Sequence, residues 1–266
     1  MPEGHSIRHF ANVHDDCFQG LTVKASSPQG RFDEGAEAID GKTFVGTSTH
    51  GKHLFFHFAE HDHIVHIHLG LYGWFSVRKN RGGKPKQSAR LRLENASFIS
   101  ELVGPTKCNY ITTQELQTAC AKLGPDPLHD DVDPQAMFDK IQSSKKSIAS
   151  LLMNQSVVAG IGNVYRAELL FLEKLDPFMP GREVPSESLT NIWNNASVLM
   201  TDGATDGMIR TVAPQHLTEA EASDHKYNQY SYVYKRHTLP CRICGTTVLI
   251  GEVDGRKLYW CKKCQS

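Results

Sequence analysis

No stretch of this chain approaches the roughly 18 consecutive apolar residues that a membrane-spanning helix needs, so no membrane span is expected. An excess of charge is missing too: 29 Lys and Arg balance 29 Asp and Glu. A protein built only to coat a polyanion usually advertises more positive charge than that. There is no internal repeat and no low-complexity tract. The opening Met1-Pro2-Glu3-Gly4-His5 lacks the charged-then-apolar pattern of a secretory signal. Cysteine is sparse, seven in 266 residues, and four of the seven fall in one pattern. The odd remainder, Cys17, Cys108 and Cys120, is expected as reduced thiols in a cytoplasmic protein. What is present suffices for a real core: 39% of the residues are hydrophobic, in a length that fits one large or two ordinary domains.

The strongest local signal lies at the C-terminal end. Cys241-Arg242-Ile243-Cys244 and Cys261-Lys262-Lys263-Cys264 are two CxxC pairs separated by sixteen residues. Each pair places two sulfurs on one tight turn, and four thiolates close a tetrahedral zinc site. Between them, Thr246–Ile250 and Lys257–Trp260 flank Asp254-Gly255, which reads as a two-stranded hairpin. The sequence therefore predicts a zinc ribbon holding one structural zinc ion and carrying Arg256 at its tip. From Lys226 onward there are eight Lys and Arg against two acidic residues. From Glu183 to Asp224 seven acidic residues stand against the single Arg210. A basic tail behind an acidic stretch is either one polyanion-facing surface with a solvated back or ordinary fluctuation of surface charge.

Along the chain, residues 1–123 read mainly as strands behind one leading helix, Ser6–Phe18, whose Ile7, Phe10, Val13 and His14 recur at helical spacing. Strands are expected at Leu21–Lys24, Lys42–Val45, His53–Phe58, His63–Leu69, Trp74–Arg78, Ala89–Leu93 and Ala96–Leu102. The loop from Lys79 to Lys86 reads as polar, flexible and basic. Residues 124–133, opening on Gly124-Pro125-Asp126-Pro127, read as a linker. From 134 to 266 the pattern is helical until the ribbon, with helices at Pro134–Ser143, Ser147–Asn154, Asn163–Glu173 and Pro185–Ala204. The expected class is α+β: an N-terminal β-sandwich domain with a leading helix, then a helical domain ending in a zinc ribbon.

Several residues are candidates for chemistry. If Met1 is trimmed, Pro2 supplies a secondary amine; α-amino groups titrate near about 8, so part of it is neutral at physiological pH. A neutral amine attacks an electrophilic carbon and leaves an iminium, and Glu3 is an adjacent acid–base group. Against this, many chains begin Met-Pro-Glu with an inert terminus. The run Gln155 to Arg166 places Gly160 and Gly162 before a helix, with Asn163 as an added donor; this is either a phosphate-binding helix start or a tight interhelical turn. Lys52, in His50-Gly51-Lys52-His53, is either a phosphate contact or a solvated turn lysine. Leu71 and Tyr72, between Gly70 and Gly73, are either a wedge for a base stack or a hairpin tucked into the core. His57, His61, His63, His66 and His68 cluster, and His5 and His9 share a helical face; a metal site is the alternative, but without a carboxylate at matching spacing strand packing and surface polarity explain them well enough.

Taken in order, these pieces resemble the formamidopyrimidine-DNA glycosylase/endonuclease VIII family of base-excision repair enzymes. The resemblance spans the chain. It rests on Pro2-Glu3-Gly4, Gly51-Lys52, Leu123-Gly124-Pro125-Asp126-Pro127-Leu128, the run Leu151–Glu168, Tyr232-Val233-Tyr234, Tyr259-Trp260-Cys261 and Cys264-Gln265. It implies an N-terminal two-sheet β-sandwich, a helix–two-turn–helix motif and the ribbon, with damaged DNA, duplex or single-stranded, between the domains of a monomer. It implies a DNA glycosylase and abasic-site lyase in which Pro2 attacks the sugar C1′ and Glu3 relays protons. Lys52, Asn163 and Arg256 would hold phosphates beside the flipped nucleotide, and Leu71 and Tyr72 would fill the gap. No cofactor beyond structural zinc, on Cys241, Cys244, Cys261 and Cys264, is implied. A glutamate often used near the lesion base is absent, Ser6 standing in its place. Glu3-Gly4 and the Leu71-Tyr72 turn resemble the endonuclease VIII branch, which favours oxidised pyrimidines; the other branch removes 8-oxoguanine and formamidopyrimidines. The segment Val212–Lys226, with Glu219, Glu221 and Asp224 and no glycine, does not read as a clamp for a flipped purine. The competing classes are a non-catalytic DNA-binding protein and a histidine-based metal hydrolase.

Overall fold

A computed structural model describes residues 2–59, 62–219, 221 and 230–266. The chain divides into two compact units, one ending at Lys122 and the other spanning Leu123–Ser266. Among the described residues no helix is long and apolar enough to cross a membrane.

The first unit opens with helix α1, Gly4–Phe18. Ile7, Ala11, His14 and Phe18 recur every three or four residues and are buried. That stripe packs α1 against strands β2, Phe44–His50, and β3, His53–Phe58. Two antiparallel four-stranded sheets share the core. One has the order β2-β3-β4-β8, with β4 at His63–His68 and β8 at Lys107–Thr112. The other has the order β1-β6-β7-β5, with β1 at Lys24–Ser26, β5 at Trp74–Lys79, β6 at Ala89–Glu94 and β7 at Phe98–Val103. Leu54, Phe56, Val65 and Ile67 from the first sheet meet Phe75, Leu91, Leu93 and Leu102 from the second. This is the expected sandwich.

Three of its elements were not expected. Strand β8 is an edge strand in which only Cys108 and Ile111 are buried, so its sequence carries little alternation. Helix α2, Asp33–Ile39, is built on small residues, with Gly35 pressed against the Phe32 ring. Helix α3, Thr113–Cys120, buries no residue fully and is held at its start by a complete capping box between Thr112 and Glu115. The first expected strand also shifts: β1 starts at Lys24, and Thr22 makes only an isolated bridge to Thr43.

The second unit holds helices α4, Gln135–Gln142, α5, Ile148–Met153, α6, Asn163–Leu172, and α7, Ser186–Asp206. It closes with the hairpin of β9, Leu249–Val253, and β10, Arg256–Trp260. Residues read as a linker are tied into this unit: the Gly124 amide donates to the Gln155 carbonyl at 2.8 Å, and the Ala159 amide to the Pro125 carbonyl at 2.9 Å. Helix α6 is buried on all sides from Asn163 to Phe171, which makes it the axis of the unit.

Candidate nucleic-acid interface and metal centre

In the first unit, Pro2 is half-buried and Glu3 is fully buried. Glu3 caps α1 with extended backbone, and its carbonyl accepts from the Ser6 amide at 2.9 Å. Glu3 therefore stands at the positive end of a helix dipole, without a side-chain cap bond. His5, next to it, is pushed down to about 3 by burial and then by His9, so it is neutral at physiological pH. The Ser6 hydroxyl lies 3.0 Å from His5 Nε2. The residue standing where a lesion-reading glutamate was anticipated is thus engaged with a neutral imidazole.

Lys52 is the second residue of a two-residue turn joining β2 to β3, closed by the His50–His53 pair. Gly51 has φ 57° and Lys52 is not in the left-handed region. That is the type II′ arrangement, which asks for glycine at the first central position. Beside it, His53 Nδ1 lies 2.8 Å from His66 Nε2, and the His66 ring stacks on Phe55 with centroids 4.7 Å apart. Burial first, then neighbouring His68 and Lys107, push His53 down to about 3 and His66 to about 4. His68 is lowered by burial and then by Lys52 and Lys107. His57 bonds to the Ser48 hydroxyl at 2.7 Å and His63 stacks on Tyr110; His61 lies outside the described residues. Among the described residues, these histidines form no metal-binding group.

The turn after β4 settles one open choice. Leu71 is 56% and Tyr72 84% exposed, so this hairpin is not tucked into the core. Gly73 makes the turn possible: its amide bonds to the Leu69 carbonyl at 3.0 Å, and a Cβ there would meet that oxygen at 2.3 Å.

In the second unit, Cys241, Cys244, Cys261 and Cys264 bring their sulfurs within 4.8 Å of one another. Cys241 and Cys264 sulfurs are 3.9 Å apart, and Cys244 and Cys261 3.5 Å. Tetrahedral zinc with Zn–S of about 2.3 Å sets its sulfurs about 3.8 Å apart, so the four fit the ion. Arg256 opens β10 and lines a groove of about 260 Å³ with Lys146, Ser150, Asn154, Arg166 and Asp254. Asn163 begins α6. Its Nδ2 donates to the Lys257 carbonyl at 2.8 Å, and its Oδ1 accepts from buried Arg166, which also donates to Lys257 at 2.8 Å. One of the two amide hydrogens of Asn163 is therefore spent on the ribbon. Gln155 holds the preceding turn through the Ile161 carbonyl and the Gly160 amide.

The segment after α7 is anchored as well. Glu168 is fully buried and accepts from the amides of Tyr232, Val233 and Tyr234 and from the Thr211 hydroxyl. Glu221, in the segment that does not read as a clamp, takes two bonds from Arg242 at 2.9 and 2.8 Å. Asp224 and Lys226 lie outside the described residues.

Comparison with known proteins bears on both units. The formamidopyrimidine-DNA glycosylase N-terminal domain matches residues 1–103, and the formamidopyrimidine-DNA glycosylase H2TH domain matches residues 123–213. Endonuclease 8 1 of Mycobacterium bovis is 40% identical over the whole of both chains. The chain belongs to the formamidopyrimidine-DNA glycosylase/endonuclease 8 family.

Probable endonuclease 8 2 of Streptomyces coelicolor is 30% identical, covering all of this chain and 94% of its own. The formamidopyrimidine-DNA glycosylase of Prochlorococcus marinus is 26% identical over all of this chain and 99% of its own. Lactococcus lactis Fpg in complex with abasic-site DNA matches the fold with a TM-score of 0.79 over 99% of each chain, at 22% identity. Within this family setting, sequence reasoning missed three residues around the ribbon: Arg166, which joins α6 to Lys257, and Lys146 and Asn154 in the Arg256 groove. Arg166 was legible as the end of the glycine-bearing run. Nothing in the sequence ties Lys146 to Arg256, because their proximity is made by tertiary packing.

Proposed function

We propose that this DNA glycosylase family member is a bifunctional glycosylase and abasic-site lyase that excises oxidised bases, pyrimidines foremost, from damaged DNA. The observation that carries the reading is the fully buried Glu3 directly after Pro2, at the head of α1, in a chain related over its whole length to endonuclease 8 1 of Mycobacterium bovis. With Met1 removed, the Pro2 nitrogen attacks C1′. A C–N bond forms there, and the glycosidic bond breaks with its electron pair leaving on the base, which is protonated. Glu3 delivers a proton to the sugar ring oxygen as the C1′–O bond opens, giving an iminium. The iminium draws electrons from C2′, which loses a proton, and the 3′ phosphate departs by β-elimination; a second elimination releases the 5′ phosphate. Water then frees the sugar fragment and restores the amine.

The remaining roles are binding. Lys52, Arg256 and the second amide hydrogen of Asn163 take phosphates near the damaged nucleotide. Leu71 and Tyr72, exposed on a glycine-held turn, enter the vacated stack. The four cysteines hold zinc, which braces the hairpin and takes no part in the sugar chemistry. Borohydride reduction with abasic-site DNA is expected to give a covalent adduct whose mass map places the link on Pro2; a link on Lys52, or no adduct, overturns the assignment. Glu3→Gln is expected to bind DNA normally and to lose roughly 100- to 10,000-fold in excision. For the lesion class, the decisive comparison is single-turnover excision of thymine glycol, dihydrouracil and 8-oxoguanine. Faster release of 8-oxoguanine would move the chain to the purine branch and leave Pro2 in place.

A further inference from the structure

Because β7 lies between β5 and β6, residues 80–88 must cross β7 on the way from one to the other. The segment from Arg78 to Arg90 carries six cations, Arg78, Lys79, Arg81, Lys84, Lys86 and Arg90, and no carboxylate, in a chain whose net charge is zero. Residues 81–88 are exposed without interruption. A charge run of this kind is often only a solvated loop, but this one is built into place at both ends. The Asn80 amide donates to the Ser97 carbonyl at 2.7 Å and its side chain to the Asn95 carbonyl at 2.6 Å. At the other end the Lys86 amide donates to Glu101 Oε1 at 2.9 Å. Glu101 is fully buried in the middle of β7 and also receives Arg92 at 2.9 Å and Arg78 at 3.4 Å. Lys86 Nζ stands 4.5 Å from the ring centroid of Trp74, which is 42% exposed at the start of β5. Trp74 follows the Leu71-Tyr72 turn by two residues. Among the described residues Lys79, Arg81, Lys84 and Lys86 make no ion pair. The carboxylates Asp33 and Glu37 share a cavity with Pro85 and Gln87 of the loop.

We infer that the loop from Arg78 to Arg90, pinned by Glu101 and Trp74, is a phosphate-binding arm that grips the DNA backbone flanking the damaged nucleotide. The inference rests on the reading that the chain acts on DNA. The chemistry is that of a polyanion: several cations without counter-ions, on a loop that can follow a backbone, beside the turn proposed to enter the base stack. Each phosphate neutralised releases condensed counterions, so the arm should register in the salt dependence of binding rather than in the chemistry at C1′. An acidic protein segment would satisfy the same charges, but continuity with the Leu71-Tyr72 turn favours DNA.

The test compares wild type with R81A/K84A/K86A, on a short duplex centred on an abasic-site analogue and on duplexes extended on one side or the other. The expected result is a slope of log affinity against log salt that is smaller by about 2 to 3 on one of the extended duplexes, at about 0.9 per lost phosphate contact. On the short duplex the slopes should agree, as should the borohydride trapping rates, which also reports that the variant is folded. Equal slopes on every extended duplex overturn the arm, and so does an equal loss on the short one. Binding of poly-glutamate, but not DNA, through these lysines would assign the surface to an acidic protein instead. Failure of wild type itself to trap would sink the Pro2 reading while leaving the slope comparison intact.

Discussion

Lys52 and Arg256 sit on the same device built twice, one in each unit. Both belong to two-residue hairpins with left-handed turn positions: Gly51 at φ 57° in the first, Asp254 at 51° and Gly255 at 72° in the second. What holds the strands differs. Strands β2 and β3 continue into a four-stranded sheet, and Leu54, Phe56 and Phe58 face the sandwich core. Strand β9 buries none of its five residues fully, and β10 buries only Leu258 and Tyr259. A two-stranded hairpin of that kind is at best marginal in water. It is held by Arg166 and Asn163 on the Lys257 carbonyl and by the Ser150 hydroxyl on Asp254, beside four cysteines whose sulfurs could hold a metal ion. One cation is positioned by hydrophobic burial and the other by polar contacts beside a four-cysteine cluster that could hold a metal ion, so the two should fail under different insults.

The largest break should come from the metal. Structural zinc supplies apparent binding energy of about 10–16 kcal/mol, most of it folding energy for the site. Chelation, or Cys244→Ser, is expected to unfold the ribbon and abolish tight DNA binding while amide protection in β2 and β3 stays unchanged. Loss of protection in both hairpins would show that the units are not energetically separable.

Acid should act next, and on the first hairpin through its histidines. The folded pKa values of His53 and His66, about 3 and 4, lie below the ordinary 6.5. The unfolded chain therefore takes up protons near pH 6.5 that the folded chain refuses, so stability is full above that pH and declines as pH falls toward 4. Hydrogen exchange of β3 and β4 amides in the full chain should accelerate across that window, and His53→Phe should flatten the change. A pH-independent rate would mean that these rings do not stay neutral in the fold. The ribbon should respond to acid differently, by releasing metal as its thiolates protonate.

These contrasts also explain what the sequence could and could not tell. The ribbon was legible because a metal-ligand pattern imposes spacing, and Cys241, Cys244, Cys261 and Cys264 cluster as that spacing predicts. The β3 strand was legible because residues alternating into a core leave a period of two. Strand β8 and helix α3 were not, since an edge strand and a half-exposed helix bury too little to leave a period. The choice at Leu71 and Tyr72 stayed open because composition alone does not say whether an apolar turn faces core or solvent; their exposure in the fold decides it. Arg166 shows the limit most clearly. Its place in a glycine-bearing run was visible, but the Asn163 and Lys257 oxygens that accept from it are 3 and 91 residues away in sequence.

Arg166 is also the next way to sharpen the comparison. Hydrogen bonds to charged groups contribute about 1.5–3 kcal/mol each, and removing one partner leaves buried acceptors unsatisfied. Arg166→Met keeps the apolar stem and removes the guanidinium. It is expected to loosen β10, raising hydrogen exchange at Lys257 and Leu258, with zinc content and the β2–β3 hairpin unchanged. If zinc were lost instead, the ligation and the polar brace would be one cooperative unit rather than two.

The smallest effect should come from the cations themselves. Arg256→Ala and Lys52→Ala each remove one proposed phosphate contact from a hairpin that stays folded, so each should lower the salt slope of DNA binding by about 1. Arg256 lies outside the ribbon's sulfur cluster and Lys52 outside the sandwich core, so neither change should alter zinc content or melting. The double variant is informative because the cations belong to separate units. Independent contacts should lower the slope by about 2. A double variant no worse than either single one would mean that one hairpin engages DNA only after the other, and would turn two separately built devices into one sequential grip.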